Sequence, residues 1–212
     1  VSTDPDLATR KHADVDHDVL DIIRTRWSPR AFADTPVPPE ALQQVLEATR
    51  WAMSSYNEQP WRYIVASRSS DPDGYDRILR CLNEFNRSWA KTAPVLMLGF
   101  VKTEFERNGN PNHHARHDLG AASAFLTLQA TNLDLYVHQM AGILPDVIED
   151  TFDLPATVEP VTGLALGYLG DASDLPENLQ ERERAERSRR PLSEFVFSPD
   201  GFGHPADFLQ EE

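Results

Sequence analysis

Apolar residues recur along the chain with two periods, one helical and one of strand type. From Asp18 to Trp27, Leu20, Ile23 and Trp27 stand at i, i+3 and i+7, which predicts one apolar helix face ending near Ser28-Pro29. Prolines suited to a helix start open "PVPPEALQQVLEATRWAM", where Leu42, Val45, Leu46 and Thr49 trace a second face and Ala52 lies a turn further on. Tyr63 to Ala66 and "PVLMLGFV" from Pro94 have the short, apolar, β-branched character of buried strands, and Tyr75 to Phe85 between them reads as a helix. "HDLGAASAFLTLQATNLDL" is apolar on most faces, with Gly120, Ala121, Ala122 and Ser123 small enough for close approach. It predicts a central helix, packed on several sides as the core helix or an oligomer interface. "YVHQM" and "VTGLALGYLG" supply two further strands, separated by a short helix around Pro145 to Phe152. Loose alternation of this kind favours an α+β or mixed-sheet layered domain.

Composition narrows the partners. With 212 residues and 40% hydrophobic content, the chain is expected to form one domain, with a disordered arm over 1–16, a folded unit over 17–198 and a tail over 199–212. Acids outnumber bases 34 to 20, and a charge of −14 repels phosphate backbones, so nucleic acid is excluded as a partner. An anionic cofactor can still bind where arginines gather locally, because charge-assisted hydrogen bonds act at contact while the wider field is screened beyond about 10 Å. Cys81 is the sole cysteine, which rules out an intrachain disulfide and suits a buried small hydrophobe beside Leu79 and Leu82. No apolar run approaches the roughly 18 residues of a membrane span, and the first residues show no apolar leader core, so the expectation is a soluble cytoplasmic protein without a membrane partner.

Two basic clusters invite chemistry. In "RTRWSPR", Arg26, Ser28 and Arg30 are spaced two apart, and the extended backbone imposed before Pro29 lets them point to one side as an anion fork. An ordinary explanation also serves: Arg26 suits a helix C-terminus and Ser28-Pro29 begins a turn. In "ERERAERSRRPLSEF", Arg182 and Arg184 read as solvated helix charges, and Arg187, Arg189 and Arg190 follow; Pro191 ends the helix and leaves Arg187 and Arg189 on an exit segment where they can converge on a phosphate, although a solvated face explains such a cluster as well. "HHARH" sets His113 and His117 four apart, but His114 stands where a zinc protease needs its Glu base and no third ligand is evident, so no metal is assigned. No G-x-S-x-G elbow, P-loop or G-x-G-x-x-G is present.

The turn "SSYNEQPW" before the first strand is richer in hydroxyls and amides than a turn requires. Together with "RWSPRAF", "PPEALQQVLEATRWAM", "FNRSWAKTAP", "QMAG" and "RSRRPL", in this order, it resembles the nitroreductase family of FMN-dependent, NAD(P)H-linked oxidoreductases over about residues 24–197. The resemblance implies an α+β fold with a mixed, mostly antiparallel sheet flanked by helices, and an intertwined homodimer with FMN at the interface. It assigns Arg26, Trp27, Ser28 and Arg30 to the first flavin motif, with Arg26 toward the phosphate and Arg30 toward the pyrimidine edge. Ser54, Ser55 and Asn57 would line the flavin from the partner subunit, and Asn86 would bond the pyrimidine edge. The backbone of Met140, Ala141 and Gly142 would approach flavin N5. Arg187 and Arg189 would complete the phosphate site, with Arg190 the alternative to Arg189. Tyr56 and Trp89 depart from the family pattern and are expected in the substrate pocket, while Met53 and Ala141 are further departures.

The implied activity is hydride transfer from NADH or NADPH through flavin N5 to a small organic acceptor of nitroaromatic or quinone type. No side-chain acid or base is expected to be catalytic, since the flavin carries the electrons. Two alternatives stay open. One keeps the flavin but performs reductive dehalogenation, metabolite dehydrogenation or flavin breakdown; the other is a flavin-binding dimer without turnover.

Overall fold

The computed structural model describes residues 5–209. In chain order the elements are α1 (Pro5–Arg10), α2 (Asp21–Thr25), α3 (Pro39–Arg50), β1 (Trp61–Ser67), α4 (Pro72–Arg80), α5 (Glu84–Ala90), β2 (Val95–Lys102), α6 (Ala115–Asn132), β3 (Tyr136–Met140), α7 (Pro145–Phe152), β4 (Val158–Gly167) and α8 (Glu177–Arg184). The strands form one sheet in the order β1-β2-β4-β3, every pairing antiparallel, with Ile64 opposite Leu98, Met97 opposite Leu164 and Val137 opposite Leu166. This is an α+β layered domain, as expected.

The period-2 geometry of a strand divides the core in two. On one sheet face Leu96, Leu98 and Phe100 of β2 join Ala165 and Met140, packed under Tyr75 and Ile78 of α4 and Trp89 of α5. On the other, Val95 and Met97 join Leu164, Leu166 and Val137 beneath Val45 of α3 and Leu126 and Ala130 of α6. Because β2 is central and covered on both sides, "PVLMLGFV" carries apolar residues at every position rather than alternately. No helix among the described residues is long and apolar enough to cross a membrane.

Several elements differ from the expectations. The apolar run over 18–27 yields only the five-residue α2, since Arg26 is already extended, and Leu20 and Ile23 are exposed while Trp27 alone is buried. The helix read over 75–85 is two helices, divided where Asn83 caps α5 by accepting from the Asn86 N–H at 2.9 Å. Within the stretch expected as a disordered arm, residues 5–16 carry α1, and Leu7 is fully buried with Trp27 and Ala172. The folded unit therefore reaches back before residue 17, while residues 1–4 lie outside the described residues. In the tail, Phe197 and Pro205 form a bridge and Ala206 is buried; residues 210–212 lie outside the described residues.

Candidate flavin site

Two segments more than 150 residues apart build the basic site. Arg26, Trp27, Ser28 and Arg30 follow α2, and Arg187 and Arg189 follow α8; with Lys11 they line one cavity of about 350 Å³. The Arg26 guanidinium donates to Ser28 Oγ at 3.4 Å, so these two point the same way, as the fork spacing predicts. Arg187 donates to the backbone carbonyls of Lys11 at 2.6 Å and Arg24 at 3.2 Å, and Lys11 Nζ donates in return to the Ala185 carbonyl. Arg190 faces away, beside Glu194, so Arg189 rather than Arg190 lines the cavity.

Positive charge is in excess in this cavity, where Lys11, Arg26, Arg30, Arg182, Arg187 and Arg189 stand against Glu183 and Glu186. Arg26 is held below the ordinary guanidinium pKa by burial and then by the nearby Arg189. Arg187 is lowered in the same way, by burial and then by Arg26 and Arg189. None of the three forms an ion pair with a carboxylate of the described residues. An anion placed among them removes this mutual repulsion.

Glu183 was not foreseen as a site residue. Fully buried, it accepts from the backbone N–H groups of Arg30 at 2.7 Å and Ala31 at 3.0 Å, and lies 3.8 Å from the Arg30 guanidinium. Burial pushes its pKa up against those bonds and the charges of Arg30 and Lys11. Lys11 is also buried, its pKa lowered by desolvation against the attraction of Glu183. Only one sequence signal was available for Glu183: it lies four residues after the apolar Leu179, on the same inward face of α8. Nothing in the polar start of the chain pointed to Lys11.

His138 on β3 supports the fork from below. Its Nδ1 is 2.9 Å from the Pro29 carbonyl, and its ring centroid is 4.5 Å from that of Trp89. Burial, with Arg30 adding to it, lowers its pKa to about 4, so the ring is neutral at pH 7 and Nδ1 is the donor. Trp89 is thus corrected: expected in the substrate pocket, it is fully buried in the core, because α5 turns this face onto the sheet.

A second group assembles where β3 ends. Asn86 is buried and donates through Nδ2 to the Gly142 carbonyl at 3.1 Å, beside the buried Met140 and the exposed Ala141. A side chain at residue 142 would begin 2.4 Å from Asn83 Nδ2 and 2.5 Å from Asn86 Nδ2, which is why glycine stands there. Next to the arginine cavity, and sharing Arg26 and Ser28 with it, a hollow of about 340 Å³ is walled by Ala124, Thr127, Leu128, Val137 and Gln139.

The polar turn lies elsewhere. Ser55 N–H donates to Asp118 Oδ2 at 3.1 Å near the start of α6, Ser54 Oγ accepts from Gln59 N–H at 3.1 Å, and Asn57 Oδ1 accepts from the Gln59 amide at 3.2 Å. Tyr56, Asn57 and Gln59 all have left-handed backbone, at φ 54°, 57° and 50°. Such strain in a tyrosine costs of order 1 kcal/mol or more and collects at functional sites. Ser54, Ser55 and Asn57 line neither the arginine cavity nor its neighbouring hollow. Within one chain the structure therefore brings the arginines together but not the arginines and the turn.

Comparison with known proteins bears on the family and the fold. The family model described as "Nitroreductase family" matches residues 23–85, which hold both the fork and the turn. A solved oxidoreductase containing FMN is 34% identical, with a TM-score of 0.82 over 88% of this chain and 94% of that one. A nitroreductase family protein from Clostridium difficile 630 is 27% identical, with a TM-score of 0.66 over 88% of this chain and all (100%) of that one. A provisionally named NADH dehydrogenase/NAD(P)H nitroreductase of Methanothermobacter thermautotrophicus is 29% identical over 158 residues, 71% of this chain and 77% of the relative. With its fold, its motifs and these relatives in agreement, the chain belongs to the nitroreductase family.

Proposed function

We propose that this protein is a cytoplasmic, homodimeric oxidoreductase that binds FMN and passes hydride equivalents from NADH or NADPH to a small organic acceptor, of nitroaromatic or quinone type. The observation that carries the reading is one cavity that gathers Arg26, Arg187 and Arg189, where burial and then the neighbouring arginines lower the pKa of Arg26 and Arg187 and none of the three is ion-paired among the described residues. A phosphate monoester fits that donor set, since several guanidinium groups can each give it charge-assisted hydrogen bonds. When bound, FMN supplies the two-electron carrier that accepts hydride from the nicotinamide and delivers it to the acceptor.

The chain's own residues have positioning roles. Arg26, Arg187 and Arg189 hold the phosphate, with Lys11 behind them. Arg30, fixed by Glu183, would supply a positive charge to the pyrimidine edge of the bound ring. The Asn86 amide would serve the same edge, and the backbone N–H groups of Ala141 and Gly142 would be the donors for N5. Ser54, Ser55 and Asn57 act across the dimer, on the flavin held by the other copy. The contact surface is the outer side of α6, where Gly120 and Ala124 are exposed next to partly exposed Ala121, Phe125 and Leu128.

The test is direct. Purified protein should show a flavin spectrum that bleaches with NADH or NADPH and recovers with a nitroaromatic or quinone. Replacing Arg26 or Arg189 with Ala should weaken FMN binding by about 1.5–3 kcal/mol, roughly 10- to 100-fold. Protein that is colourless and takes up no FMN on reconstitution would defeat the reading.

A further inference from the structure

The strained turn carries a feature that its polar residues do not explain. Tyr56 is about three-quarters exposed, yet its ring is held on two sides: Phe105 meets it edge-on at 5.8 Å, and the Arg107 guanidinium lies 4.2 Å from its centroid. Arg107 also lies 5.3 Å from the Phe105 ring. These partners belong to a tight excursion after β2, closed by the Glu104–Pro111 bridge and by the Phe105 N–H bonding to the Asn110 carbonyl at 2.9 Å. The excursion is fastened to the turn through Glu106 N–H, which donates to Glu58 Oε1 at 2.6 Å.

The neighbouring acids have other tasks. The Glu106 carboxylate pairs with Lys102 at 2.9 Å and Arg62 at 3.5 Å, and Glu58 is bonded to the Glu106 backbone. Among the described residues none forms an ion pair with Arg107, in a chain where acids outnumber bases 34 to 20. A guanidinium stacked on aromatic rings keeps its in-plane N–H groups available for a bidentate anion.

We propose that Arg107, Tyr56 and Phe105 form a subsite for an anionic group attached to a planar ring: the ring stacks beside Tyr56 and the anion takes the Arg107 fork. A carboxylated aromatic acceptor and the phosphates of the nicotinamide nucleotide share this chemistry. The inference rests on the oxidoreductase reading, which sets the turn beside the flavin of the other copy.

The experiment measures binding by calorimetry, on protein as purified, of 4-nitrobenzoate, nitrobenzene and NADPH, for wild type, Arg107→Ala and Arg107→Lys. Stopped-flow flavin reduction and acceptor turnover run in parallel. For at least one anionic ligand, Arg107→Ala should raise Kd about tenfold relative to nitrobenzene, at low salt, with partial recovery in Arg107→Lys. Loss confined to 4-nitrobenzoate assigns the subsite to the acceptor, and loss confined to NADPH assigns it to the nucleotide. Unaltered Kd for both anions in Arg107→Ala overturns the proposal. Protein that takes up no FMN on reconstitution, and whose anion binding still depends on Arg107, would defeat the oxidoreductase reading and leave the subsite standing.

Discussion

Replacing Glu183 separates two roles that one carboxylate performs. Its Oε1 satisfies two backbone N–H groups, those of Arg30 at 2.7 Å and Ala31 at 3.0 Å, while its charge faces Arg30 at 3.8 Å and the buried Lys11. Glu183→Ala strands both N–H groups, at about 1–3 kcal/mol each, and leaves Lys11 without its counter-charge. The expected loss is therefore about 3–5 kcal/mol. In Glu183→Gln an amide oxygen can still accept both bonds, so only the charge is lost, at about 1–2 kcal/mol. Urea unfolding of both variants, followed by near-ultraviolet circular dichroism, gives the two losses, and FMN titration gives the effect on the fork. Should Glu183→Gln prove as damaging as Glu183→Ala, the charge and not the acceptor would be holding the loop, and the reasoning fails.

Three other outcomes follow from the same structure. His138 has its folded-state pKa depressed from 6.5 to about 4, so its contribution is present above about pH 6.5 and lost as pH falls toward 4, about 3 kcal/mol in all; His138→Asn should flatten that limb of a urea-midpoint profile, and equal slopes would contradict the assignment. Gly142→Ala should cost about 1–3 kcal/mol in thermal unfolding, because the new methyl displaces the Asn83 and Asn86 amides; an unchanged Tm would contradict it. Gly120→Glu meets open space within one chain, so it should leave the monomer folded and weaken self-association in sedimentation; an undiminished dimer would move the interface elsewhere.

Local signals made much of the fold legible. Pro39 at a helix start, the boundaries of α7 and the unbroken apolar run of β2 each depend on residues close in sequence. The division between α4 and α5 was missed because an apolar period continues through Cys81 and Leu82, while the cap that restarts the helix is one Asn83 side chain. Leu20 and Ile23 have core spacing but face outward, since periodicity shows that a face is apolar and not what covers it. For the site, the fork and the arginines after α8 were readable by type and spacing. Glu183 and Lys11 were not, because their partners are distant in sequence: Lys11 and Ala185 are 174 residues apart, Glu183 and Arg30 153. The burial of Trp89 was equally illegible, because the residues that cover it, such as Leu98, Met140 and Ala165, belong to the sheet and not to its own helix.

The arginine cavity is closed by bonds that join an early stretch of the chain to a late one, Arg187 to the carbonyls of Lys11 and Arg24. Any anion seated there acts as a clasp between them, adding about 2.7 kcal/mol at a hundredfold excess over its Kd. If FMN is that anion, its binding should slow proteolytic trimming of α1 and of the segment after α8 together.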